Sequence, residues 1–309
     1  MGRSPRRRAA PGRRINVYLS DTRAGLRSSL DQELPVIYRE KQTGDTRLMK
    51  EELRELYKYR ELLYMITYRD IKVRYKQSIM GFLWAILMPI LIVMSGIVVR
   101  YAYAVVAHAP LKSGDIASVA IKAVPWAFIV SSIRFSCNSL TGNRELVTKI
   151  YFPKEIFPMA AVLACLFDFF VAYAALVVFL FFVKVGVTIY LLWIPVLLTT
   201  MILLCVGIGT IVSAVSLFFR DVKYIVEVFL TYGIFFTPVF YDVRMFGNRG
   251  KWLMLNPVAP LLEGLSDCIV RHQSPDLHWY LYSLIFSLIT FFSGFVLFKD
   301  LEPAFAESI

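Results

Sequence analysis

Apolar positions in this chain fall into long runs separated by short polar breaks, after an N-terminal stretch that shows no period. Residues 1–47 are polar, with Pro, Gly and Arg scattered among them, and little regular structure is expected before Leu34. From Leu48 the pattern changes. In LMKEELRELYKYRELLYMITYRDIKVRY, Leu53, Leu56, Leu63 and Ile66 recur at helical spacing between charges, which predicts an amphipathic helix over 48–80. A helix that crosses a bilayer needs about 20 mostly apolar residues. Six runs qualify: 82–106, 118–140, 158–183, 190–217, 224–241 and 278–298. Between the last two lies 242–277. Its stretch LNPVAPLLEGLSDCIV is apolar, but too short and too broken by proline to cross. It predicts two short helical pieces within 253–270 that enter the membrane and turn back, covered by protein because exposed backbone is expensive in lipid; the alternative is a lid lying flat on the outer surface.

Composition changes the solvent, not the elements. Of 309 residues, 57% are hydrophobic, 15% aromatic and only 18% charged, with a mean hydropathy of +0.58. A soluble domain carries about a quarter charged residues, so a single water-soluble core is excluded. The reading is an all-α integral membrane protein: six transmembrane helices, an N-terminal amphipathic interface helix and a re-entrant outer segment. The parts are a basic cytoplasmic tail (1–47), the interface helix (48–80), a transmembrane domain (81–300) with a connection at 141–157, and a short cytoplasmic C-terminus (301–309).

The net charge is +11, and much of the excess lies before residue 80. Basic residues flanking apolar runs suit anionic lipid headgroups better than nucleic acid. The basic cluster before the first run places that end in the cytoplasm, and six crossings return the C-terminus there. The opening MGRSPRRRAAPGRR has no apolar core close behind it, as a cleaved signal would need. Arg6 also breaks the myristoylation pattern.

Several chemistries are missing from the sequence. Cys137, Cys165, Cys205 and Cys268 are far apart and suggest buried free thiols, not a zinc site. No GxxxxGK[ST], nucleophile motif or HExxH occurs, so neither metal nor cofactor is expected in this chain. Gly207 and Gly209 sit inside the fourth run, where they suit close helix packing.

RELLYMITYRDIKVRYKQSIMGFLWAILMPILI, AVPWAFIVSS, NSLTGNRELVTKIYFPKEIFPMA, FFRDVKYIVEVFLTYGIFFTPVFYD, LNPVAPLLEGLSDCI and LEPAFAES together resemble the membrane subunit of ABC-2 type polysaccharide exporters, which carry O-antigen, teichoic acid or capsule. The resemblance covers residues 55 to 309. Arg100, Lys122 and Arg134 depart from the family's spans. The resemblance implies a homodimer with two copies of an ABC ATPase that bring ATP and Mg. It also implies export of a polyprenyl-diphosphate-linked glycan across the bacterial inner membrane, with no nucleic acid involved. Alternatives are an ABC-2 exporter of a drug or small lipid, and a membrane-embedded transferase, for which no carboxylate or His constellation is found.

Site residues follow from that resemblance. Arg69, Lys72, Arg74 and Lys76 would lie at the cytoplasmic mouth and meet the substrate diphosphate, or simply anchor to anionic lipid. Asn143, Arg144, Glu145, Lys149 and Tyr151 would form a short helix, capped by Asn143, that docks the ATPase. Trp84, Tyr101, Tyr103, Phe235, Phe236, Phe240 and Tyr241 would line a glycan channel, since sugar C–H faces pack on aromatic rings, or face lipid. Gly233, Thr237 and Pro238 are expected to break the fifth helix beside those rings. Asn256, Pro257, Pro260, Leu261 and Leu262 would form an outer gate. An unpaired charge at mid-membrane costs about 2.5 to 3.5 kcal/mol. An Arg134–Asp168 pair is therefore expected, with Glu227 as the competing partner.

Overall fold

A computed structural model describes residues 54, 57–76, 83–106, 108, 110, 113–149, 152–183 and 185–305. The chain divides into two compact units, Met1–Tyr57 and Lys58–Ile309; the fold described here is that of the second. The tail 1–47, the first residues of the 48–80 helix, Tyr151 and residues 306–309 lie outside the described residues, as does the side chain of Lys149.

The elements are α1 (Arg60–Lys76), α2 (Leu83–Val106), α3 (Ser113–Gly142), α4 (Arg144–Lys149), α5 (Ile156–Phe182), α6 (Trp193–Phe218), α7 (Val222–Phe236), α8 (Ala259–Ser266) and α9 (Leu277–Leu301). Short 3₁₀ turns precede α6 (Ile189–Leu192) and follow α9 (Glu302–Ala304). The molecule is a multi-pass, all-helical membrane protein. Among the described residues five helices are long and apolar enough to cross a membrane: Leu83–Val106, Gly114–Gly142, Ile156–Phe182, Ile189–Phe218 and Leu277–Ala304. They correspond to the first four predicted runs and the sixth.

The run 224–241 behaves differently. Its helix, α7, has 15 residues, about 22 Å of rise against a hydrocarbon core of about 30 Å. It stops at Phe236 because Thr237 is extended (φ −112°, ψ 137°) ahead of Pro238, the conformation a residue before proline prefers. Gly233 does not break it. That glycine makes room for Trp126, whose ring would lie 3.2 Å from any added Cβ.

Helix α3 is the centre: 78% of its spanning stretch is buried, against 17% for α2. Small residues set the contacts around it, as expected where lipid removes the hydrophobic drive between helices. A Cβ on Gly209 of α6 would fall 2.7 Å from Ser136 Oγ of α3. Ser139 and Ser213 hydroxyls lie 2.9 Å apart, and Ser216 donates to the Cys137 carbonyl at 2.6 Å. On the other face of α6, a Cβ on Gly207 would lie 2.6 Å from the Phe291 backbone nitrogen of α9. The expected packing role of both glycines is borne out, and all four cysteines are free and buried.

The C-terminal turn folds back onto the bundle. Phe305 is fully buried, its ring centroid 5.0 Å from that of Phe298 and 5.9 Å from that of Phe218. Lys299 Nζ lies 2.9 Å from Glu155 Oε1, just before α5, and 3.1 Å from Glu302. Burial raises the Glu155 carboxyl above its ordinary range, and the Lys299 ammonium opposes that rise.

Candidate functional site

The short connection between α3 and α5 is built as its sequence suggested, with one difference. Helix α4 carries Glu145 in its first turn, where a negative charge meets the helix dipole favourably. Val147 is buried and fixes α4 to the bundle, while Arg144, Glu145 and Thr148 are exposed. Asn143 does not cap α4 with its side chain. Its amide donates to the Ser139 carbonyl at 2.8 Å and its Oδ1 accepts from Arg69 Nη2 at 2.8 Å. Asn143 therefore joins α1 to the start of α4.

The four bases of α1 divide into two pairs. Arg69 is held by Asp70 at 2.7 Å and by Asn143. Arg74 pairs with Asp168 of α5, which also accepts from the Tyr75 hydroxyl. The Arg74 guanidinium lies 4.0 Å from the Phe135 ring centroid. Lys72 and Lys76 are exposed and line a shallow hollow with Tyr68, Ile71 and Tyr75. Two of the four bases thus hold α1 in place, and two remain open to an anion.

The expected Arg134–Asp168 pair is not formed. Arg134 makes a two-pronged contact with Glu227 of α7, Nε to Oε1 at 2.6 Å and Nη2 to Oε2 at 2.8 Å. Asp168 points to the opposite side, toward α1. The competing partner wins because a bidentate carboxylate suits the guanidinium fork and Asp168 already has two donors.

Arg100 and Lys122, out of place by composition, belong to a buried ionic cluster at the end of the bundle away from α4. Arg100 Nη2 of α2 meets Asp242 Oδ2 at 2.6 Å. Lys122 Nζ of α3 meets Asp242 Oδ1 at 2.5 Å, Glu263 Oε1 of α8 at 2.7 Å and the Tyr241 carbonyl at 3.1 Å. Arg271 reaches Asp242 at 3.1 Å and Glu263 at 3.2 Å, and also pairs with Asp267. Arg244 joins Asp267 at 3.0 Å, and Ser118 donates to Asp242 at 3.0 Å. With Asp115, 3.6 Å from Arg100, four acids face four bases. Such balance is what lets buried charge persist, since desolvation is repaid only by well-placed partners. Burial alone would raise the Asp242 carboxyl, but Lys122 and Arg100 outweigh it and hold it well below the usual range. Burial likewise opposes the Arg271 charge, yet its hydrogen bond to Asp267 and the neighbouring carboxylates push it up. The sequence reading noticed the bases of this cluster but missed its acids. The available signal was the three acids Asp242, Glu263 and Asp267 following two spans with unexplained cations.

The same segment holds the residues expected to form an outer gate, in a layout different from the expected one. A 3₁₀ stretch, Val243–Leu255, kinks at Gly247 (φ 52°) and ends before Asn256. Asn256 Nδ2 donates to Thr237 Oγ1 at 2.9 Å, Ser283 donates to the Pro257 carbonyl at 2.8 Å, and Tyr282 to the Leu255 carbonyl at 2.7 Å. The break is at Asn256 and Pro257 alone. Pro260 lies in the first turn of α8, a place that costs the helix no hydrogen bond. Leu261 and Leu262 are fully buried within the subunit. Phe246, Trp252 and Leu255 are the exposed apolar residues of this segment.

The aromatic set also divides. Trp84, Tyr101 and Tyr103 on α2 and Phe235 and Phe236 on α7 are exposed. Phe240 is buried, its ring 2.9 Å from where a Cβ on Gly96 of α2 would stand, so it is packing and not lining. The Tyr241 hydroxyl donates to the Phe235 carbonyl at 2.9 Å.

Comparison with known proteins adds a family. The family model described as ABC-2 type transporter matches residues 61–270. The O-antigen export system permease protein RfbA of Myxococcus xanthus is 26% identical over 260 residues, covering 83% of this chain and 98% of that protein. Two proteins of the same name from Klebsiella pneumoniae are 27% identical over 251 and 253 residues, each covering 80% of this chain and 94% of its relative.

Proposed function

The chain belongs to the ABC-2 type transporter family, and on that premise we propose that it is the membrane subunit of an ATP-driven exporter of a lipid-linked polysaccharide in the bacterial inner membrane. The observation that carries the substrate class is the likeness, over 94–98% of their length, to permeases named for O-antigen export. In the working complex two copies of the chain pair with two ABC ATPase subunits. Those subunits bring ATP and Mg.

The geometry supports this reading in three places. Helix α4, with Val147 buried and Arg144 and Glu145 exposed, is shaped to seat in a partner's groove and pass its motion to α3 and α5. In this reading α4, α1 and both termini lie on the cytoplasmic side. Lys72 and Lys76 offer ammonium charge to the diphosphate of a polyprenyl-linked glycan as it arrives. Arg69 and Arg74 hold the helix that presents them. The exposed rings of α2 and α7 are suited to sugar C–H faces once two subunits meet.

Six crossings are retained, with α7 as the fifth. It is completed toward the outside by Thr237–Tyr241 and by the 243–271 segment, whose backbone breaks are covered by α3 and α9, as lipid requires. Held by the ionic cluster, that segment turns back within the outer leaflet and closes the path at rest. Its exposed Phe246, Trp252 and Leu255 form the closing surface.

The test is ATP hydrolysis by the purified complex of this chain with its ATPase. Polyprenyl-diphosphate-linked glycan should stimulate turnover several-fold, and the chain alone should show none. Stimulation by amphipathic drugs or short-chain lipids in place of the glycan would move the chain to a different class of exporter.

A further inference from the structure

Helices α3 and α5 pack on each other, and α2 does not close fully on that pair. Between them lie two cavities of about 330 and 300 Å³ that share Pro89, Val124 and Ala172 as lining and so form one continuous groove. Its floor is a row of short side chains on α3, Ala120, Val124, Ala127 and Ser131, spaced four, three and four apart on one helical face. Ala172 and Ala175 of α5 leave the wall equally bare. From Trp84 to Ile97 the groove follows about 20 Å of α2, slightly more than the roughly 15 Å of one leaflet of a 30 Å hydrocarbon core.

The two ends differ in chemistry. The far end, at Ile97, Ile116 and Phe179, is wholly apolar. The near end lies beside Tyr75, which also lines the hollow formed with Tyr68, Ile71, Lys72 and Lys76. That hollow has two exposed ammonium groups and no carboxylate in its lining. The nearby acid, Asp168, is engaged by Arg74 and Tyr75. A cationic mouth opening into one apolar furrow of leaflet depth is complementary to an anionic amphiphile with a chain of ordinary acyl length. A polyprenyl chain would run well past Phe179.

We propose that this groove is a binding site for an anionic phospholipid of the leaflet on the α1 side. Its phosphate sits at Lys72 and Lys76, and one acyl chain lies along α3 between α2 and α5. The bound lipid would fill the space between α1 and α2, so that the interface helix, which rests on α5 through Arg74 and Tyr75, is also tied to α2. The site's headgroup end is the hollow offered above to the arriving diphosphate, so resident lipid and exported molecule compete for Lys72 and Lys76, while the apolar groove is the lipid's alone.

Photolabelling tests it. The full-length protein is placed in phosphatidylethanolamine vesicles with a minority of phosphatidylglycerol, and given phosphatidylglycerol or phosphatidylcholine bearing a diazirine near the chain end. Labelled peptides are then mapped. Peptides of α2 and α5 that line the groove should be labelled about fivefold more by the phosphatidylglycerol probe, in keeping with attraction of basic residues to anionic headgroups. Ala172→Trp, which fills the junction of the two cavities, should remove most of that labelling. The double variant Lys72→Gln/Lys76→Gln changes only exposed side chains, so it decides the matter even if the tryptophan is not tolerated; it should abolish the preference for phosphatidylglycerol. Equal labelling by both probes in the unaltered protein would make this ordinary boundary lipid. Labelling of the same groove peptides by a polyprenyl phosphate bearing the diazirine would give the groove to the export substrate. Ready cross-linking of Met94→Cys to its own copy in the dimer would give it to the second subunit. Each of these outcomes overturns the proposal.

Discussion

Lys122 and Asp242 meet at 2.5 Å across α3 and the segment after α7, and the lysine has no exposed surface at all. This contact decides how the segment 242–271 is held, because the same ammonium also binds Glu263 of α8. Removing one partner of a buried pair leaves the other charge stranded, at a cost of about 3–5 kcal/mol. Lys122→Met should therefore lower the apparent Tm of the detergent-purified protein sharply. Lys122→Met combined with Glu263→Gln should recover part of the loss. A single variant that unfolds at the wild-type temperature would show the cluster to be incidental.

The same cluster sets an acid limit. The Asp242 carboxyl is held below its ordinary value by Lys122 and Arg100 against the effect of burial. A group whose folded pKa is depressed stabilises the protein above its unfolded pKa, about 3.9, and that contribution fades as pH falls through that value toward the folded one. Thermal stability should be flat from neutral pH down to about pH 5 and decline below about pH 4. Asp242→Asn should be less stable at neutral pH and should show a shallower decline in acid. Parallel curves for the two proteins would mean that Asp242 does not carry the dependence.

Arg134 and Glu227 form the second test of charge placement. Stranding either within the membrane should cost about 2.5 to 3.5 kcal/mol, so Glu227→Leu should reduce yield and stability. Arg134→Leu/Glu227→Leu should be better than either single change. Arg134→Leu/Asp168→Asn should bring no rescue, because Asp168 serves Arg74 and Tyr75. Rescue by the Asp168 change would restore the pairing the structure does not form.

Gly207 and Gly142 make a matched pair for helix packing. A Cβ on Gly207 would lie 2.6 Å from backbone of α9, whereas one on Gly142 meets nothing within 4 Å among the described residues. Gly207→Ala should destabilise by about 1–3 kcal/mol, as overpacking does, and Gly142→Ala should be close to neutral. The comparison is read from apparent Tm values in one detergent.

The spans were legible because a helix crossing a bilayer needs a long apolar run, and length survives without knowledge of neighbours. Helix α4 was legible from Pro153, Pro158 and the acid at Glu145. Rotation about each helix axis was not. Nothing near Asp168 in the sequence says that it faces α1, so its pairing with Arg134 looked economical. Phe240 looked like its exposed neighbours Phe235 and Phe236 until Gly96 of α2 proved to be against it. The end of α7 could have been placed from Pro238, which restricts Thr237, but the apolar run continued past it and masked the stop. The ionic cluster joins residues more than 100 positions apart, such as Lys122 and Asp242, and no local pattern records such a meeting.

ATP-driven translocation remains the decisive measurement. Inverted vesicles containing this chain and its ATPase, loaded outside with a labelled polyprenyl-diphosphate-linked glycan, should move label to a protected lumen only when ATP is added. Charge reversal at Arg144 with Lys149 should abolish the movement by releasing the ATPase while α2, α3, α5, α6 and α9 stay folded. Protection of the glycan without ATP, or ATP-dependent movement of a drug or short-chain lipid with none of the glycan, would contradict the assignment.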